Sequence, residues 1–191
     1  MPHMILETPR LVLRDFRRED RPAFVAYQTD PRYRRLYGFG EDDRRAGALF
    51  VQFLAWQAEQ PRRNIQVGIF DRGSGRLCGS CGLRRSNVPD GVAVLGIELT
   101  PDDWGRYRLA IDAVDALIGH AFADLGLDLI VGRTASGNRR VERLARHFGA
   151  SLVGRRDGPE WMTGRGQTEV EWALPRAGWR QSEGRRRTAG G

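Results

Sequence analysis

Gly96-Ile97-Glu98-Leu99-Thr100-Pro101-Asp102-Asp103-Trp104-Gly105-Arg106-Tyr107-Arg108-Leu109-Ala110 is the stretch whose reading decides how this chain folds. It begins as a short β-branched apolar strand carrying a single carboxylate, Glu98. A Pro-Asp turn follows, then a bend rich in Gly and Arg, and then a strongly apolar helix starts. A strand that feeds such a bend brings backbone N–H groups and the positive end of a helix dipole to one place, which is an anion site. Two arginines in the bend, Arg106 and Arg108, point to phosphate.

Working forward, Leu109–Leu125 reads as a helix with apolar residues nearly all round, the pattern of a helix buried against a sheet. Leu129-Ile130-Val131 is a short buried strand. Asn138 caps a helix whose stripe of Val141, Leu144, Ala145 and Phe148 opposes Arg139, Arg140, Arg143 and Arg146, and Gly149 stops it. Ser151–Gly154 and Thr168–Leu174 close the sheet as a final pair. Working backward, Val92–Leu99 is the third strand of a meander with Ile65–Phe70 and Arg76–Leu83, joined by Asp71–Gly75 and Asn87–Gly91. Before it, Leu11–Phe16 is a first strand, Arg17–Tyr27 a short helix with Pro22 in its first turn, and a longer helix opens at Asp42 or Asp43 and ends at Pro61. A meander followed by strand-helix-strand units predicts an α/β fold: a mixed, mostly antiparallel central sheet of about seven strands with helices on both faces.

The chain has 191 residues and 40% hydrophobic composition, enough for one globular domain over residues 1–179. Its 31 basic residues are all arginine, and the formal net charge is +7. Five Arg and one Glu lie between Arg176 and Gly191, so the body carries only +3 and residues 180–191 read as a basic, disordered tail. The arginines are scattered rather than gathered with aromatic residues on one face, which argues against nucleic acid as a partner. No apolar run reaches the ~20 residues of a membrane helix, and no signal peptide is legible, so the expected location is the cytoplasm. Cys78-x-x-Cys81 has no second pair, and His3, His120 and His147 show no ligand spacing. The two thiols are expected to be structural and reduced, with no metal.

Four landmarks, over roughly residues 6–179, resemble the GNAT superfamily of acetyl-CoA-dependent N-acetyltransferases, most closely its ribosomal-protein N-terminal acetyltransferase (RimJ/RimL-type) branch. Leu6-Glu7-Thr8-Pro9-Arg10-Leu11-Val12-Leu13-Arg14 is similar to the first strand of that branch. Gly96–Leu99 with Trp104-Gly105 resembles its fourth strand and pyrophosphate loop. Asn138 to Gly149 is similar to its Asn-to-Gly helix, and Val170–Leu174 with Trp179 to its last strand and closing tryptophan. Singly these motifs are weak; their order and spacing make them specific. There are departures. Asp102 stands where the family's loop usually has Gln or Arg, Tyr107 where it has a second small residue, and Val141 where the branch often has Ser. The Asn138 helix also lacks the tyrosine with which many relatives protonate the departing thiolate.

The resemblance implies a fold, a co-substrate and a set of site residues. Acetyl-CoA would lie against Ile97 and Leu99, against Gly105, Arg106, Tyr107, Arg108, Leu109 and Ala110, and against Asn138 and Arg143. Arg106 or Arg108 would compensate for the altered loop. An amide near Glu98-Leu99 would face the thioester oxygen as a small oxyanion hole. Glu98 is the candidate base, with a water held by Ser136 or Asn138 as the next candidate. An α-amine with pKa near ~8 needs only a modest base, and a thiolate with pKa near ~8.5 leaves without a strong acid. The expected function is acetyl transfer to a primary amine, most of all a protein or peptide N-terminus, by direct attack in a ternary complex. A small amine or antibiotic as acceptor, and a non-catalytic acyl-CoA-binding module, are the alternatives; a homodimer is left open. Arg32, Arg34, Arg35, Arg44 and Arg45 in the acceptor-side segment disfavour a cationic polyamine.

Overall fold

The computed structural model describes residues 4–38 and 44–179; the predicted tail and the predicted start of the long helix at Asp42 or Asp43 lie outside them. Eight strands form one sheet in the order β1-β2-β3-β4-β5-β6-β8-β7, with helices on both sides. The strands are β1 (Ile5–Glu7), β2 (Leu11–Asp15), β3 (Ile65–Asp71), β4 (Leu77–Arg84), β5 (Val92–Leu99), β6 (Leu129–Ala135), β7 (Ser151–Arg156) and β8 (Glu169–Pro175). The helices are α1 (Arg21–Gln28), α2 (Pro31–Tyr37), α3 (Arg44–Ala58), α4 (Tyr107–Ala123), α5 (Arg139–His147) and α6 (Glu160–Thr163). The ladders β1–β2, β2–β3, β3–β4, β6–β8 and β7–β8 are antiparallel. β5 and β6 pair in parallel at Val92–Leu129, Ala93–Ile130 and Val94–Val131.

The described residues pack as two compact units. One holds the residues up to Ser86 together with Ile97–Leu117; the other holds Asn87–Gly96 and the residues from Ile118 onward. In the first, alternation along β3 and β4 sends Val67, Ile69, Cys81 and Leu83 to one face, all fully or nearly fully buried. The opposite face meets an aromatic core in which Phe16 contacts Phe24, Phe50, Phe53 and Phe70 at centroid distances of 5.4–6.5 Å. Edge-on and stacked ring pairs of this kind add about 0.5–1.5 kcal/mol each to the burial itself. In the second unit, Phe122, Leu127, Ile130, Leu144, Phe148, Trp172 and Leu174 make the core.

Three elements go beyond the sequence reading. β1 adds an eighth strand at the edge. α2 is a full helix, capped by Asp30, whose side chain accepts from the Arg32 N–H, opened by Pro31 and closed by Gly38 at φ 68°. α6 is a single turn in the loop before β8. Cys78 and Cys81 are buried free thiols, and burial pushes Cys81 up to about 12.

β4 and β5 approach unusually closely at Gly79. A Cβ there would lie 2.1 Å from the Glu98 carbonyl oxygen and 2.8 Å from the Leu99 Cα. Gly79 also follows the bulge that shifts the β3–β4 register from Ile69↔Gly79 to Phe70↔Leu77.

Candidate active site

In the first unit, Glu98 projects from β5 into a group of buried polar side chains. Its Oε1 accepts from the Tyr27 hydroxyl (2.7 Å), Gln28 Nε2 (2.7 Å) and Ser80 Oγ (3.1 Å). Its Oε2 accepts from the Tyr33 hydroxyl. Gln28 Nε2 also donates to the Tyr33 oxygen at 3.0 Å, and Arg45 Nη2 holds Gln28 Oε1 at 2.8 Å. Glu98 itself is half-buried. A carboxylate has about four lone-pair directions. Three donors crowd Oε1 and one serves Oε2, so Oε2 keeps room for a further partner.

The donors come from two helices and a neighbouring strand, each placed by local sequence. Tyr27 and Gln28 end α1, one turn below the Phe24 anchor. Tyr33 sits on the buried side of α2, with Tyr37 one turn on and its ring 4.5 Å from that of Tyr33. Burial raises the phenols of Tyr27, Tyr33 and Tyr37, and the charge of Glu98 raises them further. They therefore stay protonated and act as donors, not bases.

The loop after β5 is pinned at both ends. Trp104 Nε1 donates to the Leu99 carbonyl at 3.0 Å. Asp103, with 0% side-chain exposure, takes a bidentate pair from Arg76 (2.7 and 2.8 Å), a bond from Thr100 Oγ1 (2.8 Å) and an ion pair from Arg106 (3.2 Å). Burial acts against its charge, but these partners outweigh it and hold Asp103 below the usual carboxylate range. Gly105 has φ +90°, and a Cβ there would meet nothing within 4 Å, so its backbone is open to a ligand. The N–H groups of Arg106, Tyr107 and Leu109 donate to the carbonyls of Asp103, Gly105 and Arg106. The exposed side chains of Arg106 and Arg108 are thus the flexible cations at this helix start, with Leu109 and Ala110 half-buried behind them. Asp102 faces away to Arg32 Nη2 at 2.8 Å.

In the second unit, Asn138 caps α5. Its Oδ1 accepts from the Val141 N–H at 3.2 Å and its Nδ2 donates to Thr134 Oγ1 at 3.0 Å. Ser136 and Thr168 hold each other, Ser136 N to the Thr168 carbonyl (2.8 Å) and Thr168 N to Ser136 Oγ (3.2 Å). Ser136 and Asn138 border a cavity of about 270 Å³, together with Arg139, Arg146, Arg155 and Trp172. Arg143 lies on the exposed side of α5.

The structure therefore gathers Glu98 with four side chains that sequence reasoning did not name: Tyr27, Gln28, Tyr33 and Ser80. Among the described residues, no group of three or more His, Cys, Asp or Glu could hold a metal, and no helix is long and apolar enough to cross a membrane.

Comparison with known proteins identifies the family and the fold. A family profile described as an acetyltransferase (GNAT) domain matches residues 10–151. The uncharacterized N-acetyltransferase YoaA of Bacillus subtilis (strain 168) is 29% identical over 152 residues, covering 78% of this chain and 84% of its own. The fold matches the apo structure of RimL, a ribosomal L7/L12 alpha-N-protein acetyltransferase, at TM-score 0.75, 16% identity, and 92% and 96% of the two chains. It also matches a chimera of the spermidine N-acetyltransferase SpeG from Vibrio cholerae and hSSAT, at TM-score 0.70, 18% identity, and 90% and 98% of the two chains. The chain belongs to the GNAT family of N-acetyltransferases.

Proposed function

We propose that residues 1–179 act as one catalytic domain that moves an acetyl group from acetyl-CoA directly onto the α-amine of a protein or peptide, as in the RimJ/RimL-type branch. The observation that carries this reading is the Glu98 carboxylate, held by four donors with Oε2 less crowded than Oε1. In this reading Oε2, directly or through one water, takes the proton of the incoming amine. The protonated phenols of Tyr27 and Tyr33 keep the carboxylate in place while the charge changes.

The residues at the start of α4 suit the diphosphate of the co-substrate. Gly105 leaves its backbone uncovered, the α4 dipole favours an anion, and Arg106 and Arg108 supply charge. They replace the close backbone approach that a second small residue at Tyr107 would allow. Ile97 and Leu99, beyond the end of the β5–β6 ladder, offer strand backbone to the pantetheine arm and an amide to the thioester oxygen. Asn138 and Arg143 are further proposed contacts for the co-substrate, and Ser136 or Asn138 a second place to hold a water. Bound acetyl-CoA supplies the activated acyl group and a thiolate that leaves without a strong acid.

A peptide amine is favoured over a polyamine by charge. Arg45 is one hydrogen bond from Gln28, which itself touches Glu98, so a fixed cation stands close to the amine's place. A second ammonium on the same small molecule would meet that repulsion.

Thermal unfolding with acetyl-CoA, followed by CoA release with a panel of acceptors, tests the reading. Acetyl-CoA should raise Tm and dephospho-CoA should do far less. Arg108→Ala should weaken acetyl-CoA binding by about 1.5–3 kcal/mol, and Arg106→Ala by less, because Asp103 already shares the Arg106 charge. Peptides starting with Ala, Ser or Met should release CoA faster than spermidine does. No stabilisation by any CoA thioester would remove the assignment of the loop, and spermidine as the best acceptor would remove the peptide reading.

A further inference from the structure

β3 and β4 carry two polar residues where a core would take apolar ones: Gln66 is 5% exposed and Ser80 0%. They lie on the same face of the sheet, since Gln66 pairs with Gly82 and Gly68 with Ser80. Arg84 and Glu98 stand at either end of them. Arg84 Nη2 donates to Gln66 Oε1 (2.6 Å), Gln66 Nε2 donates to Ser80 Oγ (2.8 Å), and Ser80 Oγ donates to Glu98 Oε1 (3.1 Å).

The direction of this line follows from donor chemistry. A guanidinium has donors only, so Gln66 must turn its carbonyl oxygen to Arg84 and its NH₂ to Ser80. Ser80, with a lone pair filled by that NH₂, sends its one hydrogen to the carboxylate, which can only accept. Arg84 in turn is fixed by its Nη1 bond to the Ile65 carbonyl (2.9 Å) and by the Trp56 ring 4.4 Å beneath it. Among the described residues no carboxylate lies within ion-pairing distance of Arg84. Burial lowers it to about 10, which still leaves it charged at neutral pH. The strand also makes space for the line: a Cβ at Gly82 would lie 2.4 Å from Gln66 Oε1 and 2.7 Å from Arg84 Nη1.

We propose that Arg84 is a positioning residue for acetyl transfer, acting through Gln66 and Ser80 to hold Oε1 of Glu98 and leave Oε2 to meet the acceptor amine. This rests on the proposed role of Glu98. The groups that face Glu98 are Tyr27 and Gln28 from α1, Tyr33 and Tyr37 from α2, Ser80 and Arg84 from β4, and Arg45 from α3 by way of Gln28. The phenols of Tyr27, Tyr33 and Tyr37 are raised, so they stay donors to the carboxylate. Cutting the line at Ser80 removes one of the three donors that hold Oε1, and cutting it at Gln66 or Arg84 leaves the Ser80 hydroxyl without its anchor. The carboxyl then keeps its proton to higher pH.

The test is a carbon-13 carboxyl NMR titration of the full chain labelled at glutamate, with Glu98→Gln identifying the resonance. Ser80→Ala should raise the Glu98 midpoint by about 0.5–1 pH unit, the scale of one lost hydrogen bond to the charged form, and Gln66→Leu and Arg84→Met should each raise it by less. Ser80→Thr, which keeps the hydroxyl, should leave it in place. The acid limb of the kcat/KM profile should move with the midpoint while KM for acetyl-CoA stays unchanged. If Arg84→Met fails to fold, Gln66→Leu, which breaks the link between Arg84 and Ser80, decides. An unmoved midpoint in folded Gln66→Leu and Ser80→Ala overturns the proposal, whether or not acetyl transfer is seen. A midpoint that moves in a protein that acetylates no amine sustains the hydrogen-bonded line and removes the catalytic reading of Glu98 instead.

Discussion

Asp103 has no exposed side-chain surface, yet Arg76, Thr100 and Arg106 all bond to it. A buried carboxylate is tolerated only when its partners replace the water it lost. Its folded pKa lies below the ordinary 3.8. The unfolded chain therefore takes up the proton first as pH falls. The stability it contributes is complete above that ordinary value and fades as pH drops through the depressed one. Asp103→Asn should cost about 2–3 kcal/mol at neutral pH, the range for bonds to a charged group. It should also flatten the fall of Tm as pH drops below about 4. A variant whose Tm falls as steeply with acid as the parent's would show that Asp103 does not anchor the loop. The sequence showed the Asp102-Asp103 pair but not which of them turns inward, because that depends on Arg76, 27 positions away.

Among the elements, those with local signatures were legible in the sequence. β5 and the start of α4 followed from the apolar run, the Pro-Asp turn and Gly105, and α5 from the Asn138 cap, which the structure reproduces. α2 was missed although Asp30, Pro31 and Gly38 mark its ends, because Arg32, Arg34 and Arg35 hide an apolar stripe reduced to Tyr33, Leu36 and Tyr37. β1 was missed because three residues show too little alternation. The partners of Glu98 were illegible for another reason: Tyr27, Gln28 and Tyr33 lie 65–71 positions away, and only the packing of α1 and α2 on the sheet brings them to it. The contact between β4 and β5 at Gly79 gives a prediction at this scale. Gly79→Ala drives a Cβ into the β5 backbone at Glu98 and Leu99 and should cost more than about 3 kcal/mol by urea unfolding. Gly105→Ala, with a positive φ but open space around the Cβ, should cost only about 1–2 kcal/mol. Equal costs would mean that the two strands can part at Gly79 without penalty.

Across the whole molecule, the resemblance predicted the family, and the matched profile over residues 10–151 establishes it. Composition alone pointed only to one basic globular domain, since a net charge of +7 built from arginine fits many functions. In the proposed mechanism, Glu98 Oε2 takes one proton from the acceptor amine while acetyl-CoA supplies the acyl group. The most direct test is the pH dependence of acetyl transfer by Glu98→Gln against the parent chain, with the best peptide acceptor and saturating acetyl-CoA. At neutral pH kcat should fall by about 10²–10⁴-fold with acetyl-CoA affinity unchanged, and the deficit should shrink as pH rises through the acceptor's own pKa, where solvent supplies the neutral amine. A deficit constant with pH, or a kcat equal to that of the parent chain, would contradict the account.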